Sequence, residues 1–221
     1  MSCDSSDFGN ASANNRTDEK KTSYQFNIPL SLQTTLNELQ EQILPSYVLH
    51  KDCVNAINQL LKNICQKIVM CLNLKGKKQM TVHDIQSAIQ TFFPSQFAED
   101  VIDTKNKSSD DHVLSVNQVN HFLQCTNYQL EADCSLYLTT VLEFLANEIM
   151  EGAAEAADCD DNREISLFHL RRSIWGDEPN QYVKSKSSSK SSSISHFTGD
   201  SKLQEIAYRV GWTWLKDMPY Q

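Results

Sequence analysis

The chain has 221 residues, of which 40% are hydrophobic, and a formal net charge of −8. This length allows one or two domains with cores of their own, and the acidic balance excludes a protein drawn to nucleic acid by its overall field. No apolar run approaches the roughly 18 residues that a membrane span needs, and the polar start has no signal-peptide pattern. We therefore expect a protein that is neither membrane-bound nor secreted.

The negative charge is concentrated in one part of the chain. Residues 109–183 carry three basic and fourteen acidic residues, whereas residues 31–108 carry eight basic and seven acidic residues. The seven cysteines form no C-x-x-C pair, which is typical of free thiols in a reducing compartment. His121 and Cys125 stand four residues apart, but two ligands do not make a metal site. No motif of a catalytic or cofactor site is present, so we expect no metal, no cofactor and no enzyme.

Apolar residues recur at three- and four-residue spacings along most of the chain, and alternating patterns are almost absent. This periodicity predicts an all-α protein. The predicted helices cover residues 33–44, 51–74, 81–92, a stretch from Pro94, a stretch capped by Ser115, 135–157, and 166–174. They form two successive groups, each with a short, a long and a short helix. The 135–157 helix is about 35 Å long and needs packing partners along its whole length.

The same pattern divides the chain into six parts. We expect a disordered N-terminal tail and a Ser/Lys-rich tether, because both are polar and of low complexity. Beyond the tether, Trp212 and Trp214 follow a short helical pattern and indicate a segment that docks on the rest of the molecule. The predicted parts are the tail (1–30), the first helical region (31–103), a linker (104–114), the second helical region (115–183), the tether (184–200) and the docking segment (201–221).

Several stretches resemble core histones. TVHDIQSAIQTFFPSQFAEDVI (81–102) and INQLLKNICQKIV (57–69) resemble histone 2B. VNQVNHFLQCTNY (116–128), YLTTVLEFLANEIMEGAAEAA (137–157) and HLRRSIWGDEPN (169–180) resemble histone 2A in the same order. The resemblance extends over about two thirds of the chain. The whole is similar to the fused histone 2B–histone 2A doublets of giant viruses of the Marseilleviridae type, in a reduced variant form.

This resemblance implies two tandem histone folds clasped within one chain. It also implies assembly with a histone four–three-like doublet and sequence-independent binding of double-stranded DNA through phosphates and the minor groove. The implied DNA contacts are Lys51, Lys75, Lys77, Lys78, Gln79 and Arg163. The implied acidic patch, a site for basic tails, consists of Glu143, Glu148, Glu151, Asp177 and Glu178. The implied interface with the partner histone consists of Phe92, Phe93 and Phe97.

Each of these sites has a simpler interpretation. The basic loop can be a solvated turn, the acidic residues a solvated helix face, and the aromatic residues part of the core. Gln118, Glu131 and Glu164 also stand at or near positions where the family carries arginine, and Pro179 replaces an expected acid. Fewer phosphate contacts predict a looser particle than an ordinary nucleosome.

Two functions therefore stay open at this level. The first is packaging of DNA in a virion, in a viral factory in the host cytoplasm, or in the host nucleus. The second is a histone-fold interaction module that binds proteins without wrapping DNA.

Overall fold

The computed structural model describes residues 30–74, 78–102, 112–126, 128–176 and 198–216. These residues are mostly helical, which confirms the prediction of an all-α protein. The α-helices of these ranges are α1 (Gln33–Ile43), α2 (Lys51–Leu74), α3 (Val82–Phe92), α4 (Ser95–Ile102), α5 (Val116–Gln124), α6 (Cys134–Asp158), α7 (Leu167–Trp175) and α8 (Ser201–Val210), and a 3-10 helix follows at Thr213–Leu215.

Three names are used below for the parts of the described chain. The first unit is residues 30–102, with α1 to α4, and the second unit is residues 112–176, with α5 to α7. The C-terminal segment is residues 198–216. Residues 1–29 of the predicted N-terminal tail, most of the linker and most of the tether lie outside the described residues, whereas Leu30 is buried.

Helix α6 lies at the centre of the molecule because most of its sides are apolar. It packs against α5 and α7 of its own unit and against all four helices of the first unit. Leu138, Leu142, Leu145 and Ile149 are each at most 1% exposed. Burial of one such side chain contributes about 1.5–3 kcal/mol. The second unit therefore depends on the first to cover its long helix.

Helix α2 buries a narrower apolar stripe. Ile57, Leu61, Ile64 and Ile68 are three or four residues apart, and each is at most 1% exposed. The helix packs against α6 and α7 of the second unit as well as α1 and α3 of its own. One hydrophobic core thus runs through both units.

Four two-residue strands join the units at two places. Strands β1 (Val48–Leu49) and β4 (Glu164–Ile165) form one parallel pair. Strands β2 (Gln79–Met80) and β3 (Gln129–Leu130) form the other. In each pair, one strand comes from a loop of the first unit and the other from a loop of the second. We call these places the β1–β4 end and the β2–β3 end.

A buried thiol strengthens the connection at each end. Cys53 Sγ donates to the Ile165 carbonyl oxygen at 3.4 Å, and Cys134 Sγ donates to the Met80 carbonyl oxygen at 3.2 Å. Burial raises the pKa of Cys53 to about 12 and that of Cys134 to about 11. Both thiols therefore keep the proton that they donate. The first turn of each long helix is in this way bound to a strand of the opposite unit.

The helix starts follow local sequence signals. Thr81 and Asp84 form a capping box: Thr81 Oγ1 accepts from the Asp84 N–H at 3.2 Å, and the Thr81 N–H donates to Asp84 Oδ2 at 3.1 Å. Ser115 Oγ accepts from the Gln118 N–H at 3.3 Å. Such caps satisfy backbone donors that the first helical turn leaves free. Asp133 occupies the cap position of α6 without a side-chain hydrogen bond.

Length and hydropathy of the helices bear on membrane insertion. Within the described ranges, neither α2 nor α6 contains the apolar stretch needed to cross a lipid bilayer, nor does any shorter helix.

Candidate functional site

The β2–β3 end carries the basic loop of the first unit. Lys78 and Gln79 are exposed there, and the Lys78 carbonyl oxygen accepts a hydrogen bond from the Gln129 N–H at 3.0 Å. Lys75 and Lys77, which the sequence assigns to the same DNA contact, lie outside the described residues. The strand pair therefore holds the backbone of Lys78 in place while its side chain faces solvent.

A carboxylate lies close to these basic residues. Glu131 Oε2 accepts a hydrogen bond from the backbone N–H of Val82, the first residue of α3, at 3.2 Å. The backbone N–H of Glu131 donates in turn to the Met80 carbonyl oxygen at 3.0 Å. A helix N-terminus attracts anions, and here a carboxylate of the second unit already occupies that position. A phosphate at this end must be held mainly by lysine side chains.

The β1–β4 end carries Arg163, whose charge is already compensated. Its Nη1 donates to the Tyr47 hydroxyl at 2.7 Å and lies 3.2 Å from Asp158 Oδ1. Its guanidinium carbon is also 4.9 Å from the centre of the Tyr47 ring. The side chain is 66% exposed, so solvent weakens the ion pair, but Asp158 competes with any phosphate for Arg163.

The loop around Arg163 is strongly acidic. Asp158, Asp160, Asp161 and Glu164 are all exposed. Asp160 Oδ1 is bound by Arg172 Nη1 at 2.9 Å. The predicted DNA contact Lys51 is exposed on the neighbouring α2, where the equally exposed Asp52 follows it directly. The β1–β4 end therefore offers phosphate a weaker attraction than the β2–β3 end.

The predicted acidic patch loses one of its members in the structure. Glu143 is 2% exposed and cannot contact a partner. Its Oε1 accepts from the backbone N–H groups of Val113 and Leu114, at 2.6 and 3.2 Å. Its Oε2 lies 2.8 Å from Nδ1 of the fully buried His112. The assignment of Glu143 to the patch was wrong because this carboxylate instead fixes the start of the second unit onto α6.

Two of the remaining residues of the patch lie at the surface. Glu148 is half-buried and Glu151 is exposed, while Asp177 and Glu178 lie outside the described residues. Burial raises the pKa of Glu148, and so do the charges of Glu151 and Asp200. Asp100 has the same effect, whereas Lys202 opposes it.

We call Asp100, Glu148, Glu151 and Asp200 the acidic surface. Asp100 and Asp200 could not be assigned to it from sequence spacing, because they belong to α4 and to the C-terminal segment. Lys202 Nζ lies 3.6 Å from Asp100 Oδ2, so the C-terminal segment places one basic group of its own beside this surface.

The aromatic residues assigned to a partner interface are mostly internal. Phe93 and Phe97 are 3% and 2% exposed, and their ring centres are 5.6 Å apart in an edge-on arrangement. Phe97 also makes an edge contact with Phe144 of α6. Both side chains are therefore packed inside the chain, because α4 folds back onto α6, and their assignment to a partner interface stays a prediction. Phe92 is partly buried at the margin of the same core.

The C-terminal segment packs on both units. On the α7 side, the Asp200 N–H donates to the Ser173 carbonyl oxygen at 2.8 Å, and Arg171 Nε donates to the Lys216 carbonyl oxygen at 3.0 Å. On the first unit, Arg209 Nη1 donates to the carbonyl oxygen of Thr91, near the end of α3, at 3.0 Å. The sequence indicates that this segment docks, but its position depends on contacts far apart in the chain.

In the part of the chain that the structure describes, no group of three or more His, Cys, Asp or Glu side chains is placed to hold a metal ion. The comparison with known proteins adds no assignment: no protein-family profile matches the sequence, and no curated protein matches it at a significant level.

The burial of Glu143 gives a direct test of its structural role. Replacement by alanine leaves two backbone donors and a buried histidine without their acceptor, so Glu143→Ala should lower the free energy of unfolding by about 3–5 kcal/mol. Glu151→Ala, on the exposed face of the same helix, should change it by no more than about 0.5 kcal/mol. Urea denaturation measures both variants. Equal losses would contradict the assignment of Glu143 to the core.

Proposed function

We propose that this chain is a core-histone doublet, with a histone 2B-like fold over residues 31–103 and a histone 2A-like fold over residues 115–183. In this proposal the doublet assembles with a histone four–three-like doublet and packages double-stranded DNA in nucleosome-like particles. The proposal includes a location in the virion and viral factory or in the host nucleus. It combines the resemblance of the sequence motifs with the way in which the two units are joined.

The pairing of strands between the two units is the observation that supports the proposal most directly. In each unit a short, a long and a short helix follow one another, and the loops on either side of the long helix carry the strands. The strand before α2 pairs with the strand after α6, and the strand after α2 pairs with the strand before α6. Two units, each with the order helix–strand–helix–strand–helix and packed head to tail, produce this reciprocal pairing.

Fusion of the two folds has a thermodynamic consequence. The long helices α2 and α6 cover each other within one chain, so their association does not depend on protein concentration. Each strand pair also places a loop of one unit beside a loop of the other. In this proposal, these two ends are the places where DNA phosphates approach.

The charges at the two ends support unequal DNA contacts. Lys78 is exposed at the β2–β3 end, whereas Arg163 at the β1–β4 end is paired with Asp158. Each phosphate neutralised by a cation contributes to affinity and to its dependence on salt. We therefore place the stronger DNA contact at the β2–β3 end, which agrees with the expectation of a loosely wrapped particle.

A second candidate function is favoured by the acidic loop at the β1–β4 end. Asp161 and Glu164 are exposed acidic residues that repel phosphate, as expected of a histone-fold module that binds proteins without wrapping DNA. The first proposal is preferred because the sequence resemblance extends to both histone types in their order along the chain.

Reconstitution distinguishes the two functions. The full chain, a histone four–three doublet of the same viral type and linear DNA should yield a complex that protects a fixed length of DNA from nuclease. Omission of the four–three doublet should abolish the protected fragment. A stable protein complex that leaves the DNA digestible throughout would favour the interaction module.

The unequal ends can be compared with two variants of matched charge change. Lys78→Ala should weaken DNA binding by this chain and should reduce the slope of log K against log salt by about one, because one phosphate contact is lost. Arg163→Ala should leave the slope nearly unchanged, because Arg163 already has Asp158 as its partner. Titration of labelled DNA at several salt concentrations gives both slopes. A larger effect of Arg163→Ala would reverse the assignment.

The acidic surface can be tested with a basic peptide. The double variant Glu148→Lys/Glu151→Lys should abolish capture of the peptide, whereas Glu38→Lys/Glu41→Lys, an equal charge change on exposed positions of α1, should retain it. Since the pKa of Glu148 is raised, this carboxylate takes up its proton at a higher pH than an ordinary glutamate. Capture should therefore weaken early as the pH falls. Equal binding by both double variants would count against the surface.

A further inference from the structure

The C-terminal segment covers a particular face of the first unit. Val210, the last residue of α8, lies in a cleft with side chains from the second half of α2 and the end of α3. The other residues lining this cleft are Ile64, Lys67, Ile68, Ile89, Phe92 and Phe93. Two of the three aromatic residues that the sequence assigned to a partner histone are therefore in contact with a helix of the same chain, or directly beside it.

Helix α8 depends on packing for its structure, both against this surface and against α7. It has ten residues, and isolated helices of that length are only marginally stable in water. Its apolar side chains Leu203, Ile206, Ala207 and Val210 are each at most 5% exposed. An amphipathic helix seated in an apolar groove is also a common way in which a separate protein binds. The covered face is thus suited to binding a helix.

The segment is held differently on its two sides. The Asp200 N–H donates to a backbone carbonyl of α7, and the Lys216 carbonyl oxygen accepts from the Arg171 side chain, so both ends of the segment are attached to α7. On the first unit, it makes apolar contacts, the bond from Arg209 to Thr91 and the ion pair between Lys202 and Asp100. Both side chains of that ion pair are 43% exposed, so the pair contributes little. The attachment of α8 to α2 and α3 therefore depends mainly on a few apolar side chains.

We propose that α8 occupies, within the same molecule, the surface of α2 and α3 to which a helix of the partner histone fold binds, and that the partner displaces it. This proposal rests on the proposed function, since it takes the partner to be the histone four–three doublet. It adds an internal competitor to that assembly. Only molecules in which α8 has left this face can bind the partner. The measured affinity is therefore the affinity of the uncovered form multiplied by the fraction of molecules in that form.

The tryptophans of the chain provide a probe of displacement. The chain has three, Trp175, Trp212 and Trp214, and all of them lie in the C-terminal segment or against it. Trp212 is fully buried, and Trp175 makes an edge contact with Tyr208 of α8. With 5-fluorotryptophan in this chain alone, the fluorine resonances report the segment whatever the partner contains.

Two variants loosen the segment at separate points. Val210→Ala removes apolar contact with α2 and α3. Gly199→Ala places a Cβ 2.4 Å from the Gly176 nitrogen and the Ile174 carbonyl oxygen, so the start of the segment must move off α7. Ser201→Ala, at an exposed position of α8, is the matched control. Circular dichroism and thermal unfolding of each full-length variant establish that both units stay folded.

The experiment measures binding of the full-length chain to the four–three doublet without DNA. We expect Val210→Ala to tighten the apparent Kd on the order of tenfold and Gly199→Ala to shift it in the same direction. Ser201→Ala should stay within about twofold of the unaltered chain. On addition of the partner, the Trp212 resonance should move towards its position in the denatured chain.

The other outcomes have separate meanings. If the partner binds, but both variants bind equally or more weakly and the Trp212 resonance does not move, α8 is a permanent part of the fold and this inference is overturned. If the partner binds neither the unaltered chain nor the loosened variants, the proposed function fails as well. A loss of affinity confined to Val210→Ala would assign α8 to the partner interface itself, which also overturns displacement.

Discussion

The packing of α6 against both units is the interaction on which the rest of the structure depends. Helices α5 and α7 of the same unit cover only part of the apolar surface of α6. The helices of the first unit cover the rest. The two strand pairs and the buried thiols then fix the relative position of the units at either end. The result is one continuous core, so the two units are expected to unfold together and not as independent domains.

Charged residues of opposite sign lie at different places on the surface of this fold. The β2–β3 end presents Lys78, the β1–β4 end presents an acidic loop, and the acidic surface gathers carboxylates from α4, α6 and the C-terminal segment. Regions of opposite sign at different places agree with the proposal that DNA and basic proteins bind at separate sites. The overall charge of −8 hides this separation, because it averages over the whole chain.

Local sequence patterns predicted the helices well but could not place every site residue. Helix α2 spans the predicted residues, and Ser115 caps α5 as predicted, because these signals act over only a few positions. Glu143 was assigned to an acidic patch and Phe97 to a partner interface, since spacing cannot show that a carboxylate binds backbone groups some thirty residues away or that Phe97 packs against Phe144. The position of the C-terminal segment could not be predicted either, because no nearby sequence signal marks its contact with α2 and α3.

The buried thiols at the two ends have a kinetic consequence. Cys125 and Cys159 are exposed, whereas Cys53 and Cys134 are buried beneath the strand pairs and protonated well above neutral pH. An alkylating reagent therefore modifies the first two rapidly and reaches the last two only when a strand pair opens. Cys53 lies at the β1–β4 end and Cys134 at the β2–β3 end. A comparison of their rates of modification would therefore show which of the two strand pairs opens more readily.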